Sequence, residues 1–151
     1  MLLEQALIIF RLTSFARNLR NELKFSKKIY FYDLGIRNAL LGNFTSLDQR
    51  NDVGQLWENY LISERIKWCS YNHFYGYHYF WRNHQQAEID FLEESDGHLC
   101  AYEFKWNVHR QPQAPAAFRQ AYPDASFMVV TPDNYHRFLT TPLPAAEEAR
   151  F

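Results

Sequence analysis

Glycine is scarce in this chain, and its spacing matters more than its number. The five glycines among 151 residues are Gly35, Gly42, Gly54, Gly76 and Gly97. No two are placed to form G-x-G-x-x-G or G-x-x-x-x-G-K-[ST], the loops whose backbone amides cradle phosphates. The chain therefore carries no ATP-binding motif, and any use of ATP falls to a domain it does not contain. Cysteine is scarce too. Cys69 and Cys100 are too few for a disulfide framework and suit a reducing compartment. No apolar run approaches the roughly 20 residues needed to cross a bilayer. Glu4 and Gln5 interrupt the opening stretch before it could serve as a signal peptide. A large excess of either charge is also missing: the net charge is −1, so overall electrostatics does not announce a nucleic-acid binder. These absences predict a soluble, cytoplasmic protein with no membrane partner.

Aromatic residues are abundant, with Phe 13, Tyr 10 and Trp 4 in a chain that is 47% hydrophobic. That content supplies a sizeable core and argues against disorder across the chain. The length suits one compact domain, or one domain plus a fragment of another. Charge is unevenly spread. Residues 1–37 carry seven basic residues against three acidic ones, whereas 83–105 carry six acidic residues against Lys105 alone. The two stretches should sit on different surfaces, and most of these charges read as solvated.

The segment from Ala6 to Leu12 is apolar and β-branched and reads as a strand. A basic loop follows, then a second apolar run from Ile29 to Tyr32, so the pair reads as a hairpin or wing. Asp33 is placed to cap a short helix that Gly42 stops. The polar stretch 43–52 forms the expected domain boundary. Val53, Leu56, Trp57, Tyr60 and Leu61 then recur at i, i+3, i+4, i+7 and i+8, which predicts a helix with one buried stripe and Asp52 as its N-cap. Beyond it the period changes to two. Strands are predicted over 77–81, 87–92 and 98–106, with Ser95, Asp96 and Gly97 turning the second hairpin. In the middle strand Ile89 and Phe91 should share one face, Glu88 and Asp90 the other. Pro112 and Pro115 open a helix to about Tyr122, Phe127 to Thr131 reads as a buried strand, and 133–139 adds a helical turn. The last strand should pair in parallel, since a crossover helix delivers it. The class is α/β with a mixed sheet.

Polar groups on these strands supply the candidate chemistry. Glu103 and Lys105 lie two apart on one strand face, about 7 Å from each other. If Asp90 on the hairpin partner faces the same side, two carboxylates and an ammonium converge. Such an all-oxygen donor set suits Mg²⁺ or Mn²⁺, and the lysine could orient a water. The preceding helix offers Glu58, or Glu64 as its substitute.

Asp90, the segment Glu103-Phe104-Lys105 and a preceding helix bearing Glu58 resemble the PD-(D/E)xK nuclease-like superfamily. The resemblance implies an α-β-β-β-α-β core, a divalent metal on Asp90 and Glu103, and a water-assisting Lys105. Five ordered segments are similar to one branch in particular, the uncharacterised C-terminal domain of prokaryotic AAA+-type ATPases. They are 28–33, Gly54-x-x-x-Glu58-Asn59, 79–82, 87–91 and Glu103-x-Lys105. That likeness implies a P-loop domain and a winged helix ahead of this unit. It makes residues 1–42 a winged-helix remnant, 53–139 the nuclease-like domain and 140–151 a mobile tail. It further implies a nuclease-like effector domain that binds nucleic acid, DNA ahead of RNA, with the ATPase domain and a second copy as further partners. In this branch the motif does not itself establish cleavage. The family pattern has Gly near Gln86, where this chain departs from it.

Plainer readings stand beside these. Asp90, Glu103 and Lys105 also make a cross-strand ion-pair cluster on a solvated face, and Glu58 and above all Glu64 can pair with Arg65 or Lys67 on the helix surface. A fold retained for docking or oligomerisation, without catalysis, is the alternative function. The aromatic stretch from Trp68 to Trp81 fits a core or interface better than base stacking, since Lys67 and Arg82 are its only close cations. Cys69 and His73 fall at i, i+4, but no second ligand pair has zinc spacing. His84 and His109 flank the candidate site and read as surface residues.

Overall fold

Strand propensity and turn chemistry gather six segments into one mixed sheet, which the computed structural model describes over residues 2–17 and 26–142. The elements, in chain order, are α1 (Leu2–Gln5), β1 (Ile9–Ser14), β2 (Lys27–Phe31), α2 (Leu34–Leu41) and α3 (Val53–Tyr71), then β3 (Tyr77–Arg82), β4 (Glu88–Ser95), β5 (His98–Phe104), α4 (Ala116–Ala121), β6 (Ser126–Val130) and α5 (Tyr135–Thr140). From Val53 onward the order is helix, three strands, helix, strand, with one further helix at the end. Strands lie in the order β2-β1-β3-β4-β5-β6. β3, β4 and β5 form the expected antiparallel meander, and β6 joins β5 in parallel. The turn between β4 and β5 places Asp96 and Gly97 at φ 50° and 80°, the left-handed pair that a two-residue hairpin needs.

The hairpin expected as a wing is part of this same sheet. β1 pairs with β2 antiparallel on one side and with β3 in parallel on the other. Its Phe10, Leu12 and Tyr30 enter the core beside Trp57 and Leu61 of α3. Most of the basic loop (18–25) and most of the expected tail (143–151) fall outside the described residues.

Two apolar layers cover the sheet. One joins Trp57, Leu61 and Ile62 of α3 and Phe138 of α5 to Phe80, Phe91, Tyr102 and Phe104. The other sets Ala114 and Phe118, before and within α4, against Trp81, Ile89, Leu92 and Ala101. Ile89 and Phe91 thus lie in different layers, contrary to simple alternation. The cause is a register shift: Tyr79 pairs with Leu92 but Trp81 with Ile89, so β4 holds one extra residue. Such a bulge moves the side chains beyond it to the other face.

Caps follow the sequence only in part. Asp33 accepts from the amides of Gly35 and Ile36 at 2.6 and 3.1 Å, and Gly42 closes α2 at φ 61°. Asp52 stands at the N-cap of α3 without making the cap bond. Its carboxylate instead takes Arg50 at 2.8 Å and Arg37 at 3.0 Å, and these guanidiniums hold it well below the usual carboxylate range. Gln86 adopts φ 65°, a conformation glycine tolerates best. This accounts for the glycine that the resembling pattern carries there.

A fully buried ion pair ties α3 to the sheet. Arg65 donates Nε to Glu93 Oε1 at 2.8 Å and a terminal nitrogen to Oε2 at 2.9 Å, and the two residues are 1% and 0% exposed. Its remaining terminal nitrogen reaches the carbonyls of Phe138 and Thr141, both at 2.8 Å. The guanidinium also lies 4.7 Å from the Trp68 ring. Burial alone would raise the Glu93 carboxyl, but His78 and Arg65 bring it below its ordinary value. Its stabilisation is therefore complete above the unfolded value near 4.5 and is lost as pH falls through the lower folded value. Replacing Glu93 by Gln should cost about 3–5 kcal/mol, because a buried guanidinium loses its counter-charge. Urea unfolding at pH 7 measures this, and the gap between wild type and E93Q should shrink in acid.

Candidate functional site

The site is built where α3 crosses the β1–β2 hairpin. Asn59, 4% exposed, clamps the backbone of Phe31: its Oδ1 accepts from the Phe31 amide at 3.0 Å and its Nδ2 donates to the Phe31 carbonyl at 2.7 Å. This side chain stands in for a strand neighbour and fixes α3 against β2. Glu58, one residue earlier, is thereby delivered to Lys28 and Tyr30, which lie two apart on β2. Its Oε1 accepts from the Tyr30 hydroxyl at 2.5 Å and from Lys28 Nζ at 3.1 Å. Lys28 also pairs with Glu88 of β4, and Glu88 in turn takes Arg82. These groups line a cleft of about 380 Å³.

Asp90 follows two residues after Glu88 on β4. Its Oδ2 accepts the Phe104 amide at 2.8 Å, so the side chain is held against β5. Burial first, and then the charges of Glu58 and Glu103, push its carboxyl up to about 7; the Phe104 amide and Lys28 pull the other way. Burial also raises the Tyr30 hydroxyl, with Glu58 adding to it. For Lys28 burial acts downward, yet Glu58, Glu88 and Asp90 outweigh it and raise the ammonium above its ordinary value.

Glu103 and Lys105 lie at the far end of β5, where Lys105 Nζ donates to Glu103 Oε1 at 2.6 Å. Along that strand Tyr102 and Phe104 pack under α3 and α5, while Leu99 and Ala101 alternate into the α4 layer. Asp90 lies near enough to Glu58 and to Glu103 for both charges to act on it. Lys105 is engaged with Glu103, and the cation acting most strongly on Asp90 is Lys28.

Glu64 is elsewhere. It pairs with Lys67 at 2.7 Å on the outer face of α3, as the plainer reading has it. His84 and His109 are exposed. In the aromatic stretch Phe80 and Trp81 enter the core, whereas Tyr71, Tyr75 and Tyr77 stay exposed. His73 is exposed and does not join Cys69. The companions of Cys69 are the half-buried His78 and the buried Glu93, with donor atoms within 4.8 Å of one another. Burial pushes the Cys69 thiol up to about 12, and Glu93 is already committed to Arg65, so this group reads as internal structure.

Sequence reasoning did not assign Lys28, Tyr30, Glu88 or Asn59 to the site. The signal was present in the 28–33 segment and in the residue after Glu58. Assigning the hairpin to a separate unit hid their meeting.

Comparison with known proteins adds a family context. The domain of unknown function DUF4143 matches residues 53–145, and the domain of unknown function DUF8612 matches residues 1–47. Uncharacterized proteins Mb2031c of Mycobacterium bovis and Rv2008c of Mycobacterium tuberculosis are each 29% identical over 141 residues. The match covers 90% of this chain but 30% of each relative's length. No solved structure matches.

The raised Asp90 carboxyl carries a stability cost. A raised acid stabilises the fold below its unfolded value near 3.8, and that contribution is lost as pH rises to about 7. D90N keeps an acceptor for the Phe104 amide and removes the charge. It should be more stable than wild type at pH 8 by about 1–4 kcal/mol. Denaturant midpoints across pH should show the difference closing toward pH 4.

Proposed function

We propose that this chain, which belongs to the DUF4143 family, is the nuclease-like effector domain of a longer protein and acts on nucleic acid. The family is common in the C-terminal region of AAA-type ATPases, which supports the pairing with an ATPase domain carried elsewhere. The reading rests on one arrangement: Asp90, held by the Phe104 amide at 2.8 Å, lies near Glu58 and the Lys105-paired Glu103, and burial with those two charges pushes its carboxyl up. Surplus negative charge at a strand end is what a bound cation would relieve. The donor type suits a hard divalent ion, because Asp90 and Glu103 offer only oxygen.

Asp90 and Glu103 would hold Mg²⁺ or Mn²⁺, which would neutralise charge on a phosphodiester and lower the pKa of a bound water. The protein's own groups set the geometry. The Phe104 amide fixes Asp90, and Lys105, hydrogen-bonded to Glu103, would orient a water. Glu58, held by Tyr30 and Lys28, would support the site from the helix side. The order helix, three strands, helix, strand supports the PD-(D/E)xK reading.

Mn²⁺ titration by calorimetry tests the site. Wild type should bind, and D90A and E103A should each lose at least about tenfold in affinity. Metal-dependent hydrolysis of single-stranded DNA or RNA should fall with the same variants. Equal metal binding in all three proteins would remove Asp90 and Glu103 from the site.

A second reading, an interaction or oligomerisation domain without catalysis, is favoured by a different surface. On and after α2, Leu40, Leu41 and Phe44 are 70%, 58% and 73% exposed, an apolar group of the kind that marks contact sites. Under this reading light scattering should report a stable dimer that L41D dissociates, with no metal binding. A monomer at all concentrations would exclude it.

A further inference from the structure

The carboxylates of this cleft already surround a cation, and it belongs to the protein. Lys28 Nζ contacts Glu58 Oε1 at 3.1 Å and pairs with Glu88. Its side chain is 20% exposed, and those of the two glutamates are 22% and 23% exposed. Beneath it the Phe80 ring lies 5.3 Å from the nitrogen, an aromatic face that favours a cation. The groups facing Lys28 are thus Glu58 from α3, Glu88 and Asp90 from β4, and Phe80 from β3. Tyr30, two residues along β2, donates to the same Glu58 oxygen and orients it.

We propose that Lys28 is the resident counter-cation of the carboxylate cluster: its ammonium, seated between Glu58 and Glu88, positions both and opposes entry of a divalent ion. This rests on the metal-site reading above and deepens it by naming what the incoming ion must work against. Two like charges a few ångströms apart in a partly desolvated cleft repel strongly, so a metal at Asp90 would bind more tightly once the ammonium is gone. The hairpin thereby becomes a working part of the site. Lys28 is a positioning residue, since it acts through the carboxylates.

Mn²⁺ titration of wild type, K28M and K28R in the 151-residue chain decides the matter, with thermal melts to show that each folds. K28M keeps the length and packing of the stem without the charge, and should bind Mn²⁺ about tenfold or more tightly than wild type. K28R restores a cation and should return to the wild-type affinity. If K28M does not melt cooperatively, K28Q carries the same expectation. Binding by wild type with equal or weaker affinity in the folded neutral variant overturns the role of Lys28 and leaves the metal site standing. Absence of binding in every folded variant overturns the metal reading and this inference with it.

Discussion

Arg65 holds three parts of the molecule at once, and the placement of the candidate site depends on it. Its guanidinium binds Glu93 on β4 through two nitrogens and the carbonyls at the end of α5 through the third. A charge this deeply buried is tolerated only where its partner geometry is nearly complete. The pair therefore fixes how α3 lies across the sheet. Glu58 lies seven residues before Arg65, two turns along the helix and on nearly the same stripe. Glu93 and Asp90 lie three apart on β4. Fastening Arg65 to Glu93 carries Glu58 toward Asp90, and Asn59 locks the same helix end to Phe31.

Arg65 and Asp90 handle charge in opposite ways. At Arg65 every guanidinium nitrogen has a partner, and the result is a structural joint. At Asp90 burial and the neighbouring carboxylates outweigh the Phe104 amide and Lys28, and the carboxyl is pushed up to about 7. A fold that satisfies one acid so fully, and leaves another three residues away on the same strand raised by burial and by its neighbours, separates scaffold from chemistry. Lys28 reduces the imbalance without removing it.

Much of the architecture could be read from local pattern. The apolar spacing after Val53 located α3, Asp96-Gly97 marked the hairpin turn, and the apolar run ending the fold indicated a parallel strand. Features that depend on distant partners could not be read in this way. Leu2–Gln5 forms a helix too short for periodicity to reveal. The extra residue in β4 shows itself only through pairing with β3. Arg65 looked like a surface charge, because nothing local announces that Glu93 will be buried opposite it. At the site, Asp90, Glu58, Glu103 and Lys105 were legible as residue types at suggestive spacings. Lys28, Tyr30 and Glu88 were not, since they meet those residues only after the hairpin joins the sheet.

That junction bears on where the molecule divides. The two family matches meet between residues 47 and 53, whereas hydrogen bonds run across that line from β1 to β3. Severing the chain there would bare the flank of β3, strip the cover from Phe80 and leave an open rim able to recruit foreign strands. The line between the two matched segments is thus no line of physical independence: β3 needs the ribbon that precedes residue 47 beside it.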